Sequence, residues 1–122
     1  LGVRAMVYTE PSVLTAQAND HGYEVAYRNL VNLWAESGDL LVAISSSGRS
    51  KNILNACEAA RTKGARIVTL SGFGPENPLR RLGDLNFYVE CSLYGPVECA
   101  HMVLLHHITD EVLAAITPAV HQ

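Results

Sequence analysis

The stretch Leu40–Ser50, LLVAISSSGRS, constrains the fold more than any other part of the chain. Five apolar residues, Leu40–Ile44, run without interruption, as is typical of a parallel strand that is covered on both faces. Four serines, a glycine and an arginine follow, and a helical spacing of apolar residues begins at Lys51. Ser50 suits the N-cap of that helix, which we expect to span Lys51–Lys63.

Two interpretations of the segment Ser45–Ser50 fit its residues. Serine hydroxyls and free backbone N–H groups at the positive end of a helix stabilise an anion such as phosphate. The same residues can also form an ordinary polar loop between a strand and a helix, because serine and glycine are common in turns. This stretch by itself leaves a phosphate-binding loop and a structural loop open.

Composition indicates one domain with a substantial core. The 122 residues are 48% hydrophobic and 17% charged. A net charge of -3 and the lack of a Lys/Arg cluster argue against a nucleic-acid-binding surface. No run approaches the roughly 18 apolar residues of a membrane-spanning helix, and no signal peptide is visible. The three cysteines lack metal-type spacing, which favours reduced structural thiols in a cytoplasmic protein.

Apolar spacing and turn residues predict the remaining elements. We expect strands at Val3–Tyr8, Ala65–Leu70 and Leu85–Cys91, and helices at Tyr23–Ser37 and Val97–Ile116. Pro96 would take the favoured first position of the last helix. Strands that alternate with helices predict an α/β domain with a mostly parallel sheet.

Ligands of such sheets bind beyond the carboxyl ends of the strands. The loops that we place there are Thr9–Gly22, Ser45–Ser50 and Ser71–Pro78. The first contains Asn19-Asp20-His21-Gly22, a turn-forming tetrapeptide in which Asn19 or Asp20 could cap the following helix.

The segment Ile44–Gly72, ISSSGRSKNILNACEAARTKGARIVTLSG, resembles the signature of the sugar isomerase (SIS) domain. Within that superfamily, Asn19-Asp20 followed by Gly22 resembles the phosphoheptose isomerases, which act on D-sedoheptulose 7-phosphate. The segment Val97–Leu113, VECAHMVLLHHITDEVL, is similar to the same enzymes, because a Gln or Glu is followed eight positions later by His. The resemblance runs over about residues 3–115.

The resemblance implies a three-layer α/β sandwich whose mostly parallel sheet has flavodoxin-like order. Phosphoheptose isomerases also carry an N-terminal helical region, a strand ending in Gly-Asn-Gly-Gly-Ser, and a helix with His and Glu one turn apart. None of these motifs stands in this sequence. We therefore expect residues 1–122 to form a partial SIS domain, without the family's N-terminal helix, its first strand and part of its active site. A homo-oligomer, a dimer or tetramer, is also implied, because active sites of the family form between subunits.

The family match also implies a role for each candidate site residue. Asn19 and Asp20 match positions that contact the sugar hydroxyls. His106 matches a histidine that serves as a zinc ligand and as a proton donor or acceptor. Glu98 matches a position near the metal that is usually glutamine. The phosphate-contacting loop is matched by Ser45, Ser46, Ser47 and Ser50.

The implied reaction is ketose–aldose isomerisation of a phosphorylated sugar. It needs a base that moves a proton between adjacent carbons and an acid at the carbonyl oxygen. Histidine suits this chemistry because its ordinary pKa lies near neutrality. A sugar-phosphate-binding module without catalysis, acting as a sensor or adaptor, is an alternative, and so is a purely structural oligomer built on the helix Val97–Ile116.

Each residue on the last helix also has a structural interpretation. Glu98 could offset the dipole of the helix in its first turn. Without the family match, His106 could be a surface histidine. Eight helical residues separate Glu98 from His106 by about 12 Å along the axis. One zinc ion bound by both would therefore need a distorted first turn or a neighbouring subunit. We expect His101 to pack in the core, because it shares a stripe with Val97 and Leu104.

Overall fold

The computed structural model describes residues 3–117. Within these residues, three strands form one parallel sheet in the order β1, β2, β3. The strands are β1 Leu40–Ser45, β2 Arg66–Ser71 and β3 Leu85–Tyr88. The helices are α1 Pro11–His21, α2 Tyr23–Trp34, α3 Lys51–Thr62 and α4 Tyr94–Ile116, and a short 3-10 helix, Pro78–Arg81, lies between β2 and β3.

The sheet separates two helical layers. On one face, α2 and α3 enclose a core that includes Val31, Cys57 and Ile67. On the other face α4 packs over β2, where the buried Val97 lies against Gly72. Successive residues of a strand point to opposite faces, so Gly72, two residues after Leu70, lies on the same face of the sheet as Leu70. The predicted three-layer α/β architecture with a parallel sheet is confirmed.

β1 is covered on one face only within the described residues. Ala43 is 4% exposed and Ser45 7% exposed on the α3 side. On the other side Leu40, Val42 and Ile44 are exposed by 60%, 43% and 39%. The prediction that both faces of this strand are covered is therefore wrong for the described residues, because α4 packs over β2 rather than β1.

The segment that precedes α1 differs from its prediction. Val3–Tyr8 forms no strand, although five of its six residues are apolar. The described residues contain no strand on the free side of β1 with which it could pair, and Tyr8 packs against the core cluster instead. A strand needs a hydrogen-bonding neighbour as well as apolar residues, which is why the composition of this segment was misleading.

α1 occupies most of the region that we expected to be a loop. Pro11 takes its first position, and the Glu10 side chain accepts a hydrogen bond from Ser12 N at 3.3 Å. A proline in the first position of a helix is favoured, so Pro11 was the residue from which the sequence could have predicted α1. Gly22, with a φ of 93°, separates α1 from α2. Asn19 and Asp20 therefore lie on the last turn of α1 and do not cap α2, so the turn-and-cap interpretation is wrong.

Helices α3 and α4 agree with the sequence predictions, except that α4 begins three residues earlier. α3 begins at Lys51, and Ser50 holds its N-cap position without a side-chain bond to the helix. α4 begins at Tyr94 rather than Val97, so Pro96 is its third residue. Neither α4 nor any other helix in residues 3–117 is long and apolar enough to cross a membrane.

All three cysteines are free, as predicted. Cys57 is fully buried between α3 and the sheet. Burial raises the pKa of its thiol to about 11, so the thiol stays protonated near neutral pH. A protonated, buried thiol is a poor nucleophile and packs as a small apolar residue.

The contact of α4 with the sheet can be tested at Gly72. A Cβ at this position would lie 2.7 and 2.8 Å from the two methyl groups of Val97. We expect Gly72→Ala to lower the free energy of unfolding by about 1–3 kcal/mol, because α4 must move outward. Urea unfolding of the full-length protein measures this change. Gly95→Ala is the matched control, since a Cβ there has nothing within 4 Å. An equal effect of both substitutions would contradict the packing of α4 on β2.

Candidate functional site

The candidate site lies at the carboxyl ends of β1 and β2. The parallel register pairs Ser45 with Ser71, so the two strands end level with each other. Both serines are buried, at 7% and 0% exposure. The loop that follows β1 is held to the loop that follows β2, because Gly72 N donates to Ser46 O at 2.8 Å. Two of the three predicted loops, Ser45–Ser50 and Ser71–Pro78, are thus neighbours in the structure.

The serine loop has its own network of hydrogen bonds. The hydroxyls of Ser45 and Ser50 lie 2.9 Å apart, which explains why Ser50 does not cap α3 with its side chain. Gly48 N donates to Ser45 O at 2.9 Å, and Arg49 N donates to Ser47 Oγ at 3.3 Å. Gly48 has a φ of 65°, a conformation that glycine adopts most easily. The loop is a tight turn that ends at the start of α3.

A cleft of about 500 Å³ adjoins this loop. Its lining joins the first residues of α2 with the end of the serine loop and the start of α3, namely Gly22, Tyr23, Glu24, Ser50, Lys51 and Asn52. Pockets of roughly 300–1,000 Å³ accommodate small molecules. The first backbone N–H groups of a helix have no intrahelical acceptor and carry partial positive charge. The N-termini of α2 and α3 and Ser50, the last residue of the serine loop, therefore border one cleft, whose charged lining side chains are Lys51 and Glu24.

The structure places Asn19 and Asp20 next to the cleft in sequence but not in its lining. Both side chains are exposed on the last turn of α1, and Asn19 Nδ2 donates to Asp20 Oδ1 at 3.0 Å. Only His21 separates this pair from Gly22, the first lining residue. Contact of this pair with a sugar therefore stays a prediction.

Glu98 contacts the serine loop across the sheet edge. Its Oε1 accepts a hydrogen bond from Ser46 Oγ at 3.3 Å. Because α4 begins at Tyr94, no acidic residue lies in its first turn, and Glu98 falls in the second. The helix-dipole interpretation of Glu98 is therefore wrong. Its contact with Ser46 places Glu98 beside the serine loop, and its predicted position near a metal stays a prediction.

His106 lies further along α4 and is exposed. α4 is continuous from Tyr94 to Ile116, so it offers no distorted first turn that could bring Glu98 and His106 together. His101 is buried at 3% exposure, as predicted, and neither ring nitrogen has a partner among the described residues. His107 Nδ1 lies 3.9 Å from Glu111 Oε1, one turn further along the helix.

The residues of this chain do not by themselves form the zinc site that the resemblance implies. Within residues 3–117, no group of three or more His, Cys, Asp or Glu side chains lies close enough to hold a metal ion. Glu98 and His106 are eight residues apart on a regular helix, about 12 Å along its axis. Any zinc site that uses them needs ligands from outside the described residues.

Sequence reasoning missed Asn77, which lies in a segment that we treated only as a loop. Its side chain is fully buried and hydrogen-bonds to the loop after β2. It also N-caps the 3-10 helix, since Asn77 Oδ1 accepts from Arg80 N at 3.2 Å. The Asn-Pro pair, with Pro78 in the first helical position, was the signal that could have identified this cap.

Comparison with protein families gives the class to which this fold and site correspond. The SIS domain model matches residues 1–72, more than half of the chain. The chain therefore belongs to the SIS domain family. Within that class it is similar to phosphoheptose isomerases. The enzyme of Campylobacter concisus is 38% identical over 104 residues, which are 85% of this chain and 54% of that protein. The Bordetella avium enzyme is 36% identical over 88% of this chain and 56% of its own length.

Solved structures agree with this assignment. The phosphoheptose isomerase of Neisseria gonorrhoeae matches with a TM-score of 0.80 and 28% identity, over 84% of this chain and 57% of that one. The enzyme of Francisella tularensis matches with a TM-score of 0.79 at 24% identity and supports the fold alone. The chain thus spans about half the length of the relatives that it matches.

The hydroxyl pair of Ser45 and Ser50 can be tested by a double-mutant cycle. Each single substitution to alanine removes the same 2.9 Å contact, so the second substitution should cost less when the first is present. We expect a coupling of about 0.5–1.5 kcal/mol in the free energy of unfolding. Denaturant unfolding of the four proteins measures it. Strictly additive costs would show that the two hydroxyls do not interact.

Proposed function

We propose that the full-length protein isomerises a phosphorylated ketose, D-sedoheptulose 7-phosphate, to the aldose D-glycero-D-manno-heptose 7-phosphate. The observation that carries this proposal is the cleft beside Ser45–Ser50, which two helix N-termini and a serine loop border. The relatives at 31–38% identity are named phosphoheptose isomerases, which supports a heptose phosphate as the substrate.

In this proposal the serine loop binds the phosphate group. The backbone N–H groups at the start of α3 and the hydroxyls of Ser46, Ser47 and Ser50 supply hydrogen-bond donors. Ser45 is buried and supports the loop through the Ser50 hydroxyl. The phosphate would then fix one end of the sugar, and the reacting carbons would extend away from the start of α3.

The remaining candidate residues act on the sugar. Asn19 and Asp20, beside Gly22, would contact its hydroxyl groups. His106 would transfer a proton between the sugar and solvent or a second protein group. Glu98 accepts a hydrogen bond from Ser46 and lies on the same helix as His106, about two turns closer to its N-terminus. The carboxylate base that the family resemblance assigns is not among these residues.

We propose that the site is completed in a homo-oligomer. Glu98 and His106 of one chain are too far apart along α4 to act on one small ligand at the same atom. Several large apolar residues of α4 are exposed, and a second copy would cover them: Met102, Val103, Val112, Leu113 and Ile116. Zinc stays part of this proposal, bound by His106 or Glu98 together with ligands from outside the described residues. A cytoplasmic location, expected from the free cysteines, also stays a prediction.

One observation favours a second function, a sugar-phosphate-binding module without catalysis. The described residues assemble the serine loop and the cleft beside it, but they do not bring together an acid and a base. A sensor or adaptor needs only the loop and the cleft. Binding without turnover in the full-length protein would therefore identify this alternative.

A thermal-shift titration with sedoheptulose 7-phosphate, with and without zinc, distinguishes these functions. A ligand that binds only the folded state raises the melting temperature with its concentration. We expect stabilisation by the sugar phosphate and turnover to the aldose in the full-length protein. Stabilisation without turnover favours the sensor. No response to the sugar phosphate would contradict both accounts and favour a structural oligomer.

Serine substitutions test which loop residues bind the phosphate. We expect Ser47→Ala and Ser50→Ala each to weaken the binding of sedoheptulose 7-phosphate by about tenfold, the effect of one lost hydrogen bond to a charged group. Isothermal titration calorimetry measures the change. Ser37→Ala is the matched control, because Ser37 is exposed just before β1, at the opposite edge of the sheet. Unchanged affinity in both loop variants would contradict the phosphate-binding role.

A charge on α4 tests the oligomer. Val103 is 68% exposed on this helix. We expect Val103→Glu to dissociate the full-length oligomer, because a carboxylate would be buried without a partner in the interface. Light scattering after size-exclusion chromatography measures the mass. Asn32→Glu, an exposed position on α2, is the control. An unchanged mass in Val103→Glu would exclude this face of α4 from the contact between copies.

A further inference from the structure

Asn77 is the polar side chain that connects the loop after β2 to the serine loop. It is 0% exposed. Its Nδ2 donates to Ser71 Oγ at 3.1 Å, to Gly72 O at 3.1 Å and to Gly74 O at 2.9 Å. Its Oδ1 accepts from Arg80 N at 3.2 Å. Acceptors surround one end of the amide and a donor faces the other, so the contacts fix the orientation of the amide.

The same side chain lies directly against Gly48 of the serine loop. A Cβ at Gly48 would stand 2.0 Å from Asn77 Oδ1, 2.3 Å from its Cγ and 2.8 Å from its Cβ. Glycine is therefore needed at position 48 for two reasons: the backbone φ is 65°, and the Asn77 amide occupies the space that a Cβ would fill. Any side chain at position 48 would therefore collide with the Asn77 side chain.

Two backbone hydrogen bonds flank this contact. Gly72 N donates to Ser46 O at 2.8 Å, and Leu79 N donates to Gly48 O at 3.1 Å. Both donors belong to the segment that Asn77 organises, one on each side of it in the sequence. The position of the serine loop thus depends on the shape of the segment Gly72–Leu79, and the buried amide holds that shape.

We propose that Asn77 is a positioning residue, which pre-organises the Ser45–Ser50 loop for a phosphate ester without touching the ligand. This inference rests on the proposed function of the loop. A loop that is already ordered loses less conformational freedom when it binds, so preorganisation increases affinity. An aliphatic residue at position 77 would leave Ser71 Oγ, Gly72 O and Arg80 N without the partners that Asn77 supplies, and the segment would rearrange to hydrate them.

Other contacts keep the segment attached when Asn77 is changed. Tyr88 OH donates to Phe73 O at 2.7 Å, and the Arg80 guanidinium lies 4.2 Å from the centre of the Tyr88 ring. Leu79 is fully buried in the core. We therefore expect substitutions of Asn77 to loosen the loops while the sheet and the helices remain folded.

The test compares Asn77→Ala and Asn77→Asp with Asn86→Ala in the full-length protein. Aspartate keeps the shape of asparagine but cannot donate to the three acceptors. Asn86 is a control of the same residue type, because it joins Thr69 Oγ1, at 2.6 Å, to Gly83 O, at 3.2 Å, away from the serine loop. We expect both Asn77 variants to raise the Kd and the KM for sedoheptulose 7-phosphate about tenfold or more.

The control separates positioning from general destabilisation. Melting temperatures of the Asn77 and Asn86 variants are compared, and we expect Asn86→Ala to lower the melting temperature but leave the Kd unchanged. Hydrogen exchange of the amides from Ser46 to Ser50, measured without ligand, should accelerate in the Asn77 variants only. Equal Kd values in the Asn77 variants and the natural protein would overturn the positioning role alone. A natural protein that binds no sugar phosphate would overturn the proposed function and this inference together.

A double-mutant cycle checks the contact between Asn77 and Gly48 without any ligand. In the natural background, Gly48→Ala places a Cβ against the amide. Asn77→Gly removes Oδ1, Cγ and Cβ, the three atoms that block it. We expect Gly48→Ala to lower the melting temperature less in the Asn77→Gly background, because only the backbone strain remains. The same loss in both backgrounds would show that the two residues are not in contact.

Discussion

The parallel register that sets Ser45 beside Ser71 determines where the polar groups of the site lie. Because β1 and β2 end level, their following loops leave the sheet side by side and can hydrogen-bond to each other. The bonds from Gly72 to Ser46 and from Leu79 to Gly48 are the direct result. With these loops fixed, α3 begins at a defined place, and its free N–H groups border the cleft.

The site divides into a part that one chain assembles and a part that it does not. The serine loop, the cleft and the Glu98 contact form within the described residues. His106 lies about two turns beyond Glu98 on α4. The exposed apolar residues of α4 and of the uncovered face of β1 lie on the same side of the sheet as Glu98 and His106. A second copy of the chain, or further residues of a longer protein, would address both features at once.

Features that depend on neighbouring residues were predicted better than features that depend on residues distant in sequence. The succession of strand, serine loop and helix from Leu40 was predicted, because each step depends on neighbouring residues. The predicted strand at Val3–Tyr8 was wrong, because a strand forms only beside a hydrogen-bonding partner, which an apolar segment cannot supply by itself. α1 was missed although Pro11 was a local signal. Asn77 could be recognised as a cap, but its contact with Gly48 joins two loops that are distant in sequence.

The sequence by itself determined the α/β class, the serine loop between β1 and α3, and the buried position of His101, since apolar spacing and turn residues act locally. Only the tertiary structure decided that Ser50 bonds to Ser45 rather than capping α3, that Glu98 reaches Ser46, and that Asn77 supports Gly48. These three contacts depend on which strands are neighbours and where they end. Packing of the whole sheet, rather than any short segment, sets that arrangement.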